Sequence, residues 1–209
     1  MAKIKDGILG GFSGKIGNIV GVRNPDGSFT IRSKRGVVNN PKSPAQQAGR
    51  SGFGMCASLF KIVQPFVEHS LRHVDGKKAR GAFISLNSRS VMSGVYPDLY
   101  LDYRYLKVAD GSLLPAANPK AVWNDEGSLA FSWSNNSGEG GARASDRVML
   151  LVINPAKRHI DYIVRGNTRA EGGDVLVILP ENRHDELHGY IAFIADNGSI
   201  ISSSVYVAL

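Results

Sequence analysis

The sequence predicts an α+β fold that is mainly β: an N-terminal β-hairpin plus helices, followed by an immunoglobulin- or fibronectin-III-like antiparallel β-sandwich. Three observations carry this. From about residue 112 onward, seven short β-rich runs alternate with turn signals, the density expected of a two-sheet sandwich. In the first half, two stretches space their apolar residues as helices do. Between two apolar runs near the start stands Asn24-Pro25-Asp26-Gly27, which is hairpin turn chemistry. These patterns divide the chain into a basic N-terminal module, 1–110, and a sandwich, 116–209.

The opening segment, "GGFSGKIGNIVG" at 10–21, has the look of a phosphate loop without its chemistry. Leu9 stands where a Walker loop needs glycine, and Ile16 stands where it needs a metal-binding Ser or Thr. Its glycines at 10, 11, 14, 17 and 21 therefore read as strand bends, bulges or sites of close backbone approach. From 15 to 34 a hairpin is expected, with Pro25 preset for the first central turn position and Gly27 free to take positive φ. This element carries Lys15, Arg23, Arg32, Lys34 and Arg35, and Lys42 follows it. These six cations are the expected contact surface for an acidic partner or for nucleic acid.

Ser43-Pro44-Ala45-Gln46 is a helix start, with Ser43 as N-cap, Pro44 at the first helical position and Gln46 closing a capping box. Phe53, Cys56, Leu59, Phe60 and Val63 form the expected buried stripe, and Pro65 is expected to end or kink a helix over 44–64. Gly49, Gly52 and Gly54 each cost such a helix about 1 kcal/mol relative to Ala, so another backbone is expected close by. A second helix is predicted over 77–92, stopped by Gly94. Residues 96–106 alternate apolar with charged positions, as a half-buried strand does, and carry four tyrosines.

The seven expected sandwich strands are 122–123, 129–133, 148–153, 159–164, 175–179, 190–195 and 200–207. Trp133 alternates with Phe131 and Leu129 and is expected in the core. Tyr190 is placed in a tyrosine-corner role, and Asn197-Gly198 in a tight hairpin. The loop over 134–141 is expected to be long, polar and mobile.

Taken together, "ILGGFSGKIGNIVG", "NNPKSPAQQAGR" and "FSWSNNSGEGGARASDRVMLLVINP" resemble an uncharacterised bacterial family of about this length, a domain of unknown function. The likeness covers nearly the whole chain. It implies the two-part architecture and supplies no catalytic residues. "NPKSPAQQAGR" also resembles a helix-start motif of phage-associated and other assembly proteins.

Charge is distributed unevenly. Residues 1–107 hold 17 Lys/Arg against 6 Asp/Glu, while 108–209 hold 8 against 12. The basic half suits nucleic acid, an acidic protein surface, or acidic positions of another copy such as Asp125, Glu126, Asp185 and Glu186. Complete catalytic or metal constellations are missing from the text. His69/His73 and His184/His188 have i,i+4 spacing but no third ligand nearby, and Cys56 sits on an apolar helix face without a base. Apolar runs are too short to span a bilayer, and no signal-peptide core follows Met1.

The expectation is a non-enzymatic structural or self-assembling protein without cofactor or metal, cytoplasmic or particle-associated. Its partners would be other copies or a larger particle, engaged through the basic module. Sequence-independent nucleic-acid binding is the alternative, and a carbohydrate-binding module or enzyme working through the sandwich loops is the third reading.

Overall fold

A computed structural model describes residues 3–4, 11–36, 40–71, 78–124, 126–183 and 185–209 of the chain. It is mainly β with two α-helices and divides into two compact units, residues 1–42 and 43–209.

The first unit is an antiparallel sheet of β1 (Lys3–Ile4), β2 (Phe12–Ile16), β3 (Ile19–Arg23) and β4 (Phe29–Ser33), hydrogen-bonded in chain order. The expected hairpin is thus part of a larger meander. Its Pro25-Asp26-Gly27 turn closes through Gly27 N–H to the Asn24 carbonyl, 3.0 Å, with Gly27 at φ +84°.

The second unit begins at Ser43, so the helices belong with the sandwich and not with a separate module ending at residue 110. The reason lies in the larger sheet of the sandwich, which is buried on both faces. That sheet runs β10 (His159–Ile163), β9 (Arg147–Asn154), β12 (His188–Ile194), β13 (Val205–Ala208), and the smaller one runs β11 (Gly173–Val177), β8 (Ser128–Ser134), β7 (Ala117–Trp123). Alternate residues of β9 and β12 point to opposite faces. Val148, Leu150, Ile191 and Phe193 join Leu129, Phe131 and Trp133 of β8 in the core between the sheets. Met149, Leu151, Tyr190 and Ala192 join Cys56, Leu59, Val63 and Phe83 in a second core beneath α1 (Pro44–Ser70) and α2 (Ala79–Asn87). The order is helices, four strands, three strands. A strand forms at each of the seven expected places, but the last, expected over 200–207, begins only at Val205, with Ile201 and Ser202 in isolated bridges; Trp133 is 6% exposed.

Helix α1 starts as expected, with Ser43 Oγ accepting from Gln46 N–H at 3.4 Å. It then runs through Pro65 to Ser70 without ending. Proline forfeits one ladder bond, but the turn after it is anchored: Phe66, Val67 and Ser70 are buried, and the Ser70 hydroxyl donates to the Val108 carbonyl. Two further expectations for α1 are corrected. Phe53 is 52% exposed, off the buried stripe. Among the described residues no other backbone comes close to the helix at its glycines: Gly52 faces the Met92 side chain, while a Cβ on Gly49 or Gly54 would meet nothing within 4 Å. The second helix is shorter than expected, and Lys77 lies outside the described residues.

Residues 96–106 are not a strand. They hold the two-residue β6 (Tyr100–Leu101), paired with β5 (Met92–Ser93), and a 3₁₀ turn, Tyr103–Tyr105, capped by Asp102. The Asp102 carboxylate accepts both the Arg104 N–H and its guanidinium, and such side-chain bonds favour a turn over an extended ladder. Tyr190 makes no corner: its hydroxyl donates to the Tyr103 carbonyl at 2.7 Å, tying β12 to that turn. In the loop over 134–141, Asn136 is anchored, donating to the Pro115 carbonyl at 3.0 Å and accepting from Arg169. The Asn197-Gly198 turn forms, with Gly198 N–H donating to the Ala195 carbonyl.

Candidate association surface

The N-terminal sheet places its side chains by register. Lys15, Val20 and Arg32 lie directly opposite one another across β2, β3 and β4, as do Ile16, Ile19 and Ser33 one step along. Because faces alternate, these two rows belong to opposite sides. One side carries Lys15, Val20, Val22, Thr30 and Arg32. The other carries Phe12, Ile16, Ile19, Phe29 and Ile31, with Arg23 opposite Phe29 and its guanidinium carbon 5.5 Å from that ring.

Glycine keeps this second side flat. A Cβ on Gly21 would stand 2.3 Å from the Phe12 carbonyl oxygen and 2.7 Å from its ring, and one on Gly11 would meet the Phe29 ring. The two aromatic rings therefore lie where the glycines leave room, as in aromatic rescue of strand glycines. At the tip, Gly17 (φ +52°) is the first central residue of a two-residue hairpin loop, a position of positive φ.

Little of this sheet is buried: among its described residues Gly21 alone is classed as buried. Ile16 and Ile19 are 41% and 40% exposed, Phe29 40% and Ile31 60%. Of the six expected contact residues, Arg32, Lys34 and Arg35 are brought together, lining with Val20 and Ser33 a cleft of about 630 Å³. Lys15 shares their face through its row with Arg32. Arg23 is on the apolar side, and Lys42, at φ +50°, closes the unit just before the α1 cap. Charge follows the same division. Residues 1–42 hold 8 Lys/Arg against 2 Asp/Glu, whereas 43–209 hold 17 against 16. About half of the excess of the first half thus belongs to the sheet unit; residues 43–107 hold the rest, 9 Lys/Arg against 4 Asp/Glu.

The acidic positions named as counterparts fare differently. Glu126 is exposed, but Asp185 is engaged within its own unit, 2.9 Å from Lys157 Nζ and accepting from Asn154. Asp125 lies outside the described residues, as do His73 and His184, one member of each expected histidine pair. Among the described residues no group of three His, Cys, Asp or Glu is placed to hold a metal. Cys56 is buried, and burial pushes its thiol pKa up, so it stays protonated and packs as an apolar side chain.

Sequence reasoning missed two polar clusters. His188 stacks on Tyr103, ring centroids 4.3 Å apart, with Nδ1 3.2 Å from the Tyr206 hydroxyl and Nε2 3.8 Å from Glu186. Desolvation holds its pKa below the ordinary 6.5 despite Glu186 and Asp102, so the imidazole is neutral at pH 7. Burial likewise raises the pKa of Tyr103 and Tyr190. This is a packed aromatic joint between β12 and the 3₁₀ turn. The other cluster centres on Arg169, fully buried, with Nε 3.2 Å from Asp146, Nη1 donating to Asn136 and Nη2 to the Leu114 carbonyl. Its guanidinium lies 3.8 Å over the Phe193 ring, and its carbonyl accepts from Trp133 Nε1. No periodicity marks either cluster, because each is assembled from segments far apart in sequence.

No helix among the described residues is long and apolar enough to cross a membrane. No curated protein and no solved structure matches the chain. A family model does match residues 11–208, so both the glycine-rich sheet and the helix-backed sandwich lie within one shared pattern: the chain belongs to the family of unknown function DUF6266.

Proposed function

We propose that the protein is a non-enzymatic assembly component whose basic N-terminal sheet associates with further copies or with a larger particle. One observation carries this reading: the sheet leaves Ile16, Ile19, Phe29 and Ile31 at least 40% exposed with Gly21 as its buried residue. A small sheet needs a packed hydrophobic face for independent stability, and covering side chains already half-exposed adds about 1 kcal/mol each. Protein partners supply such cover, whereas a phosphate backbone does not. The 3+4 strand division supports reading the sandwich as an immunoglobulin-like carrier for this sheet.

A second reading, sequence-independent binding of nucleic acid, draws on the cleft of Arg32, Lys34 and Arg35. Light scattering and sedimentation of the nuclease-treated full chain, with and without duplex DNA, separate the two. Assembly predicts particles whose size rises with protein concentration in the absence of DNA and falls in Ile31→Asp. Nucleic-acid binding predicts a monomer whose log affinity for DNA falls with log salt at about −0.9 per phosphate contact. A monomer indifferent to both defeats both readings.

A further inference from the structure

The second unit contains an open groove of about 560 Å³ that the core leaves unfilled. One wall is a stripe of α1, in which Ser51, Met55, Ser58 and Ile62 recur at three- and four-residue spacing. At 1.5 Å rise per residue this wall is roughly 16 Å long. The facing wall lies in residues 96–106, where Pro97, Leu99, Leu101 and Tyr103 all line the groove. Its alternation is real: Leu101 and Tyr103 pack on the core with one edge and line the groove with another. Met55 and Leu99 are partly exposed there, and Ile62, Leu101 and Tyr103 keep part of their surface open to the groove while packing on the core.

The ends of the groove differ. Toward Ser51 and Pro97 it approaches the bond from the Tyr96 hydroxyl to Gln47. At the Tyr103 end stands Arg158, on the turn between β9 and β10, where its charge acts on the Tyr103 hydroxyl. Lys157 beside it is committed to Asp185 at 2.9 Å, whereas Arg158 has no ion pair among the described residues. Arg158, in the turn closed by its N–H to the Pro155 carbonyl, also holds φ +54°, a left-handed conformation that glycine or asparagine takes more readily. Gly54, likewise, lines the groove with nothing within 4 Å of where its Cβ would stand. It weakens the helix yet relieves no contact among the described residues, and it leaves clearance in the groove.

We propose that this groove binds a free, linear, medium-chain carboxylate, its alkyl chain lying along Met55, Ile62, Leu99 and Leu101 and its anionic head on Arg158. A groove in which apolar side chains run between the Ser51 and Ser58 hydroxyls and a cation at one end fits one apolar tail and one negative charge. This site is separate from the N-terminal sheet, and its test does not depend on assembly.

Titration calorimetry of the full-length protein with decanoate, and with decylamine as the opposite-charge control, tests it. Saturable one-to-one binding of decanoate is expected, with decylamine at least tenfold weaker. Arg158→Gly relieves the left-handed strain, so it should raise or preserve the melting temperature while weakening decanoate about tenfold. Gly54→Leu should likewise strengthen the helix and abolish binding by filling the channel. The proposal is overturned if decanoate fails to saturate, if decylamine binds equally well, or if Arg158→Gly leaves the affinity for decanoate unchanged.

Discussion

Arg169 is the residue on which one end of the sandwich turns. Burial pushes its pKa down, but the Asp146 carboxylate opposes this, and a guanidinium does not deprotonate in proteins. Its positive charge is thus fixed inside the fold, matched by an Asp146 that is 1% exposed. Removing one partner of a buried pair strands the other. Arg169→Met should therefore cost about 3–5 kcal/mol in urea unfolding, and Arg169→Met/Asp146→Asn should recover at least half of that. Asparagine keeps an oxygen for the Arg143 N–H, which Asp146 accepts at 2.8 Å. A single-variant loss below about 1 kcal/mol would show that the cluster is not a buried pair in the energetic sense. Nothing local distinguishes Arg169 in "GNTRAEGG" from a solvated arginine, because its partners come from residues 114, 136 and 146.

Elements show how one residue type takes opposite roles. Gly49 lies on an exposed turn of α1 and a Cβ there would touch nothing. Gly49→Ala should accordingly stabilise the second unit by about 0.5–1 kcal/mol, read as a rise in melting temperature. Gly21 in β3 is the reverse case, since a Cβ would collide with the Phe12 backbone. Gly21→Ala should open the N-terminal sheet, seen as faster amide exchange in β2 and β3, while leaving the melting of residues 43–209 unchanged. A melting temperature lowered by Gly49→Ala, or exchange unaltered by Gly21→Ala, would contradict these assignments. The helix start at Ser43-Pro44 and the Pro25-Asp26-Gly27 turn were legible because capping and turn chemistry act over three or four residues. The end of α1 was not, because what carries it past Pro65 is burial of Phe66 and Val67 against distant strands.

At the scale of the molecule, the helices and the larger sheet form one unit. A fragment comprising residues 116–209 would uncover Met149, Leu151, Ile153, Tyr190 and Ala192, now packed with α1 and α2. Such an apolar face drives association. That fragment should aggregate or bind a hydrophobic dye, while 43–209 should unfold in one cooperative transition, both followed by circular dichroism and light scattering. A monomeric, cooperatively folded 116–209 would instead make the helices an accessory layer. The cue was present in the text: "VMLLVI" at 148–153 is a continuous apolar run, the pattern of a strand buried on both faces. Read as one strand of a two-layer sandwich, it lost that meaning.

By itself, the sequence determined the inventory of this protein: seven sandwich strands, a capped first helix, a glycine-rich hairpin and a cationic N-terminus. Those features rest on interactions a few residues apart, so the local text contains them. Tertiary structure alone decided the partition of the chain at Ser43, the pairing of Arg169 with Asp146, the joint of His188 with Tyr103, and the open groove between α1 and residues 97–103. Each arises where burial brings together segments far apart in sequence, and the free energy of burial depends on which surfaces meet, not on the spacing of residues along either one.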